Sequence, residues 1–232
     1  MQILWEGLRE GFILLVEGNP ELWGTVGLSL GVSSVAVGIA TVLGIPLGTL
    51  LALGPRGWGR KLMMLLISVF MGLPPVLAGL VVYLVLSAQG PLGAWKLLFT
   101  PGAMVLAQAL LALPVITGLT CSAVKQVPTG IRDAARTLGA PSHVEMLTVL
   151  REVRPALAVA AAAGLGRVLA EVGAVMMVGG NIAGRTRVMT TAIVLETQRG
   201  NFDRALGLGL ILLVLSFALN ALISVTSGDW EV

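Results

Sequence analysis

This sequence is short of charge. Asp, Glu, Lys and Arg make up 12% of its 232 residues, against about 25% in an ordinary soluble domain. The shortage is concentrated: no charge occurs between Glu21 and Arg56, Lys61 and Lys96, Lys96 and Lys125, or Arg204 and Asp229. A hydrocarbon core about 30 Å thick takes roughly 20 apolar residues per crossing helix, and each of these runs is long enough. That excludes a soluble globular domain. The single Cys121 excludes an intramolecular disulfide framework. The single His143, without a ligand partner nearby in the sequence, reads as a surface residue. HExxH, CxxC and a Ser–His pairing are all missing, so no metal site or nucleophile is expected, and the chain does not read as an enzyme. No G-x-x-x-x-G-K-[ST] is present to cradle ATP phosphates, so any energy source must come from a partner. A net charge of +3 leaves no footprint for nucleic acid. The N-terminus lacks the basic n-region of a signal peptide and carries Glu6 and Glu10. No internal repeat of 20–50 residues is visible.

What remains reads as an all-α integral membrane protein. Residues 1–20 form one region, where Trp5, Leu8, Phe12 and Leu15 share a helical face. That predicts an amphipathic helix lying in the interface, broken at Asn19-Pro20. A transmembrane region, 21–228, follows with five spans, expected near 23–53, 62–86, 103–124, 155–178 and 205–226. The first is long for one crossing and Pro46 offers it a bend. Leu73-Pro74-Pro75 falls near the centre of the second, where two missing N–H donors predict a kinked or broken helix packed on protein or a cavity. The methionines at 63, 64, 71, 104 and 146 read as packing residues. Loops 54–61 and 125–154 share a side and carry eight Lys and Arg residues against six opposite, which favours a cytoplasmic 125–154 loop.

That loop is the least membrane-like long stretch. Thr129 is placed to cap a short helix ending at Gly139. Ser142 and Glu145 form a capping-box pair opening a second helix. The result is a helix–turn–helix elbow with Ile131, Ala134, Ala135 and Leu138 on one face. Physical signals alone leave it either a connector or a docking surface.

The stretch RVLAEVGAVMMVGGNIAGRT, 167–186, places Arg167 and Glu171 four residues apart inside the fourth span. On one helix they share a face and pair, which offsets the cost of a central arginine, about 2.5–3.5 kcal/mol on insertion scales. Two readings stand: an ion pair fixing helix rotation, or positive potential along an anion path. The small residues around them, among them Ala160, Gly164, Gly166 and Gly173, suit close helix packing. Asn181 and Thr186 lie in the turn that follows, and Arg185 and Arg187 are either solvated loop charges or contacts for an arriving anion or an acidic binding protein. Residues 188–200 suit a short helix against the outer ends of the spans.

The sequence Asp133-Ala134-Ala135 followed by Gly139-Ala140 resembles the EAA loop of ABC importer permeases, with Asp133 for the usual Glu and Arg151-Glu152 where that motif often closes on Leu-Pro. EVGAVMMVGGNI from Glu171, Gly72-Leu-Pro-Pro75 and TTAIVLET from Thr190 resemble the molybdate, tungstate and sulfate branch, most of all its tungstate-type permeases. The resemblance implies a type I ABC importer permease fold and import of a tetrahedral oxyanion, tungstate first and molybdate next. It implies a coupling helix carrying Ile131, Asp133, Ala134, Ala135, Leu138, Gly139 and Ala140. Path or gate candidates are Pro74, Pro75, Arg167, Glu171, Asn181 and Thr186, and docking candidates are Arg185 and Arg187. Implied partners are a second copy of the chain, since five spans enclose a path poorly alone, two cytoplasmic ATPase subunits holding ATP and Mg, and a periplasmic or lipoprotein oxyanion-binding protein. The implied setting is the lipid of a bacterial or archaeal plasma membrane. The competing expectation is an autonomous channel or secondary transporter with Arg167 and Glu171 as its working charges.

Overall fold

The computed structural model describes residue 9, residues 20–55 and residues 57–227. The amphipathic helix expected over 1–20 falls almost wholly outside them. The described residues form helices and turns and no strand. In chain order the α-helices are α1 Pro20–Leu53, α2 Trp58–Met71, α3 Pro75–Leu86, α4 Pro101–Gln126, α5 Thr129–Thr137, α6 Ser142–Glu152, α7 Arg154–Leu169, α8 Gly173–Gly179, α9 Met189–Gln198 and α10 Phe202–Ser227, with one 3-10 turn, Gly93–Trp95, between α3 and α4. Three of these, α1, α4 and α10, are each long and apolar enough to cross a membrane. Two bent pairs, α2 with α3 and α7 with α8, each pass the same test of length and composition when taken together, so the described residues hold up to five candidate crossings.

α1 has 34 residues, about 51 Å at 1.5 Å per residue, so it tilts or projects beyond a 30 Å core. It stays helical through Pro46. Its partner is α4, and glycines set their separation: a Cβ on Gly48 would lie 2.6 Å from the Thr117 carbonyl oxygen, and one on Gly44 would lie 3.1 Å from Ile116. Without the hydrophobic effect to drive association in lipid, such backbone approach is a main source of packing energy. Around this pair lie two apolar clusters. Val37, Ala40, Ala112, Ile116, Leu165 and Val168 join α1, α4 and α7. Ala78, Met104, Leu111, Ala174 and Val178 are part of the cluster joining α3, α4 and α8.

Span two breaks as Pro74-Pro75 requires. α2 ends at Met71, Pro74 takes extended geometry with ψ 126°, Pro75 opens α3, and the two axes differ by 104°. Span four differs from the continuous 155–178 helix expected. It stops at Leu169 and resumes at Gly173, bent by 61°. The cause is local. The Glu171 carboxylate accepts the Ala174 amide at 2.9 Å, taking the place of a main-chain carbonyl and starting a new helix.

The elbow helices appear where expected, but their caps do not. Pro128 and Pro141, not Thr129 and Ser142, occupy the positions before the first turns, and no side-chain cap forms at either. A Pro N-cap followed by a helix needs no side-chain acceptor to fix its entry, because the ring already sets φ. Gly139 does end α5: with φ +75° it lets its own amide reach Arg136 O at 2.9 Å and the Ala140 amide reach Ala135 O at 3.0 Å, a Schellman closure. α9 forms within the expected 188–200 segment.

Candidate functional site

Three groups of residues carry the polar chemistry of the bundle. The first joins the two broken spans. Arg167, the third-last residue of α7, donates through Nη2 to the Leu73 carbonyl oxygen at 3.3 Å, reaching the break in span two. Glu171, 6% exposed, sits in the break of span four. Its carboxylate caps Ala174 and its main-chain oxygen accepts the Thr190 hydroxyl at 2.9 Å. The expected Arg167–Glu171 pair does not form, because the helix that would align them ends between them and each finds a main-chain partner instead. Pro74 and Pro75 lie at the same junction, as the N-cap and first residue of α3. Beyond it α3 and α8 run in contact: a Cβ on Gly79 would lie 2.6 Å from Ala174 Cα, and one on Gly173 would lie 2.6 Å from a Val76 methyl. Gln108 ties α4 to the same place, donating to Val168 O at 3.2 Å.

The second group lies at the end of the bundle away from the elbow. Thr186 is fully buried; its hydroxyl donates to Gly179 O and accepts the Ile182 amide, at 2.6 and 3.0 Å. It knots the turn and presents nothing to solvent. Asn181 takes φ +51° and accepts the Arg187 Nε at 3.3 Å, while Arg187 Nη1 reaches Glu21 at 3.4 Å. Arg187 is therefore engaged, whereas Arg185 is exposed. Beside them a small cavity of about 50 Å³ lies among Glu21, Thr25, Arg187, Glu196 and Arg204. Glu196, 7% exposed, was not singled out from sequence. It accepts Asn201 at 2.8 Å and Arg199 at 3.0 Å. The Asn201 hydrogen bond and the nearby Arg204 and Arg199 charges hold its carboxyl below the usual range against the opposing effect of burial.

The third group is the elbow. The expected Ser142–Glu145 box is replaced by a clamp: Glu145 on α6 accepts Arg132 Nε at 2.8 Å and Arg136 Nε at 2.9 Å, both from α5. Two charge-assisted bonds outcompete one bond to an amide. Hydrogen bonds from Arg136 and then Arg132 hold the Glu145 carboxyl below its ordinary value. The signal in the sequence was Arg132 and Arg136 four residues apart with an acid following. The Ser-x-x-Glu pattern obscured it. Ile131 turns towards Val124, Val127, Val149 and Val153 at the root of the elbow. Asp133, Ala134 and Gly139 are exposed, Ala135 and Ala140 are half-buried, and Leu138 stands 87% exposed at the tip. Sequence thus places the ridge on one face of α5, and the structure seats one end of it and leaves the other bare.

No group of His, Cys, Asp and Glu among the described residues has the arrangement of a metal site. Residues 44–227 match the family described as binding-protein-dependent transport system inner membrane component. The chain is 42% identical over 223 residues to the tungstate uptake system permease protein of Peptoclostridium acidaminophilum, covering 96% of this chain and 97% of that one. It is 46% identical over 201 residues to a probable anion ABC transporter permease protein of Haloferax volcanii, covering 84% and 86%. Among solved structures, an amino acid ABC transporter determined with histidines superposes with a TM-score of 0.58 at 16% identity, over 95% of this chain and 97% of that one, which establishes likeness of fold.

Proposed function

The chain belongs to the family of binding-protein-dependent transport system inner membrane components, and from that premise we propose that the oxyanion it carries is tungstate, with molybdate the next best substrate. As a family member it is the multi-pass membrane subunit of an ABC importer and not itself an enzyme. It works with an ATPase and a substrate-binding protein. The observation that carries the substrate reading is the 42% identity to a tungstate uptake permease over 96% of the chain.

In this reading the elbow faces the cytoplasm of a bacterial or archaeal cell, and two ATPase subunits, holding ATP and Mg, dock on two copies of the chain. The bare Leu138 tip and the clamped α5–α6 pair suit a part that transmits a push without bending. The push reaches the bundle through α4 and α7, between which the elbow is inserted. The path runs beside the junction of the broken spans, on the axis of a homodimer. Pro74, Pro75, Arg167 and Glu171 shape the junction there. Their carboxylate and guanidinium are committed to main-chain partners in this conformation. Asn181 and Thr186 fold the outer turn, and Arg185 presents its charge to an acidic binding protein.

The test is reconstitution of the chain with its ATPase and binding protein in liposomes. Tungstate is expected to stimulate ATP hydrolysis and accumulate inside at lower concentrations than molybdate or sulfate. Oxyanion flux through the chain alone, without ATPase or ATP, would overturn the reading in favour of a channel.

A further inference from the structure

An apolar groove of about 360 Å³ opens on the bundle between α1, α2 and α4, walled by Leu47, Leu50, Ile67, Phe70, Leu113 and Thr117. Thr117 is the one hydroxyl among these, and it is spent on its own helix, donating to Leu113 O at 2.7 Å. The walls therefore offer carbon and no free hydrogen-bond donor, which does not suit an oxyanion. α2 runs antiparallel along the last half of α4, with Met71 against Gly118 and Met64 against Lys125. The groove thus has a deep end near the span-two break and a shallow end near the start of α2.

The shallow end is basic. Arg60 reaches back to Ala52 O and Gly54 O at 3.1 and 3.2 Å, neutral acceptors that leave its charge uncancelled. Lys125 is exposed, its ammonium 3.3 Å from Met64 Sδ. No ion pair among the described residues involves either cation. Trp58, 79% exposed at the first turn of α2, marks the depth at which aromatic side chains meet headgroups. A carbon-lined slot with uncancelled cations at headgroup depth has the chemistry of one ligand. We propose that this groove is a phospholipid site, with an acyl chain between α1, α2 and α4 and an anionic headgroup held by Arg60 and Lys125. A second copy is a poorer occupant, because an isologous contact centred here would turn the same cations towards each other.

The experiment places the full chain in bilayers containing phosphatidylglycerol or phosphatidylcholine with a photoreactive diazirine in the acyl chain. Labelled residues are then mapped. With two cations each worth about fivefold near an anionic headgroup, phosphatidylglycerol is expected to label Ile67 and Leu113 up to about 25-fold more than phosphatidylcholine, and Lys125→Gln to cut that preference about fivefold. Leu113→Trp, which fills the slot, is expected to abolish groove labelling and spare the lipid-exposed Leu213 and Phe217 on α10. Groove labelling no different from that of Leu213 and Phe217, or equal for the two lipids, would mean bulk lipid only and overturn the proposal. So would an absence of groove labelling accompanied by cross-linking of two copies through Leu50→Cys.

Discussion

Arg167 donates to the carbonyl oxygen of Leu73 across 94 residues of sequence, and this bond ties the break in span two to the end of the first half of span four. Replacing Arg167 with Leu leaves that oxygen without its donor, at about 1–3 kcal/mol. It also removes a guanidinium whose insertion costs about 2.5–3.5 kcal/mol. The two nearly cancel, so Arg167→Leu is expected to melt in detergent close to wild type. Uptake in proteoliposomes is expected to fall about tenfold or more, because the breaks no longer move together. A large drop in melting temperature with uptake falling only in proportion to folded protein would assign the bond a purely structural part.

Gly79 faces Ala174 with no room for a Cβ, the nearest atom being Ala174 Cα at 2.6 Å. Gly79→Ala therefore forces α3 from α8, and overpacking of this kind costs about 1–3 kcal/mol. Because the clash is with main chain, Ala174→Gly is not expected to rescue it. Thermal unfolding of the single and double variants checks this, and full rescue in the double would show the obstacle to be the Ala174 methyl.

Gly139 sits at φ +75° with open space where a Cβ would point. Asn adopts this geometry more readily than other side chains, and Ala bears about 1–2 kcal/mol of strain. Gly139→Asn is expected to keep the elbow and ATPase association. Gly139→Asp has the same shape and a new charge, and is expected to lose both association and uptake. The isosteric pair separates docking from backbone strain. Normal ATPase association and uptake in Gly139→Asp would remove the elbow from the docking surface.

The legible part of this molecule was the part governed by one-dimensional patterns. Apolar run length placed the three long helices and the two bent pairs, two adjacent prolines placed the break between α2 and α3, and Gly139 placed the end of α5. What escaped depended on competition for a single group. Glu171 had Arg167 available at helical spacing and took the Ala174 amide instead, which ended the helix that the pairing presupposed. Glu145 matched a capping box and took two arginines nine and thirteen residues back. Glu196 had Arg199 within helical spacing, but its Asn201 partner lies past the end of its helix and meets it only once the chain turns at Gly200. Spacing ranks the partners within reach of a carboxylate. Which of them wins is decided by folded geometry.

The Glu145 clamp carries the last prediction. Its carboxyl is held below the unfolded value by Arg136 and Arg132. The stabilisation is therefore fully present above the unfolded value of about 4.3 and is lost as pH falls through the lower folded value. Amide exchange protection over residues 131–138, corrected for intrinsic rates, is expected to hold from neutral pH to about 4.5 and fall below it. Glu145→Gln keeps the shape and one acceptor oxygen but loses the charge. It is expected to show lower protection at neutral pH and no step on acidification. With ATPase and binding protein present, this variant should still associate and hydrolyse ATP, while substrate moved per ATP falls several-fold, because α5 then yields under load. An unchanged transport-to-hydrolysis ratio would confine the clamp to local stability and leave transmission to the apolar root around Val124 and Val149.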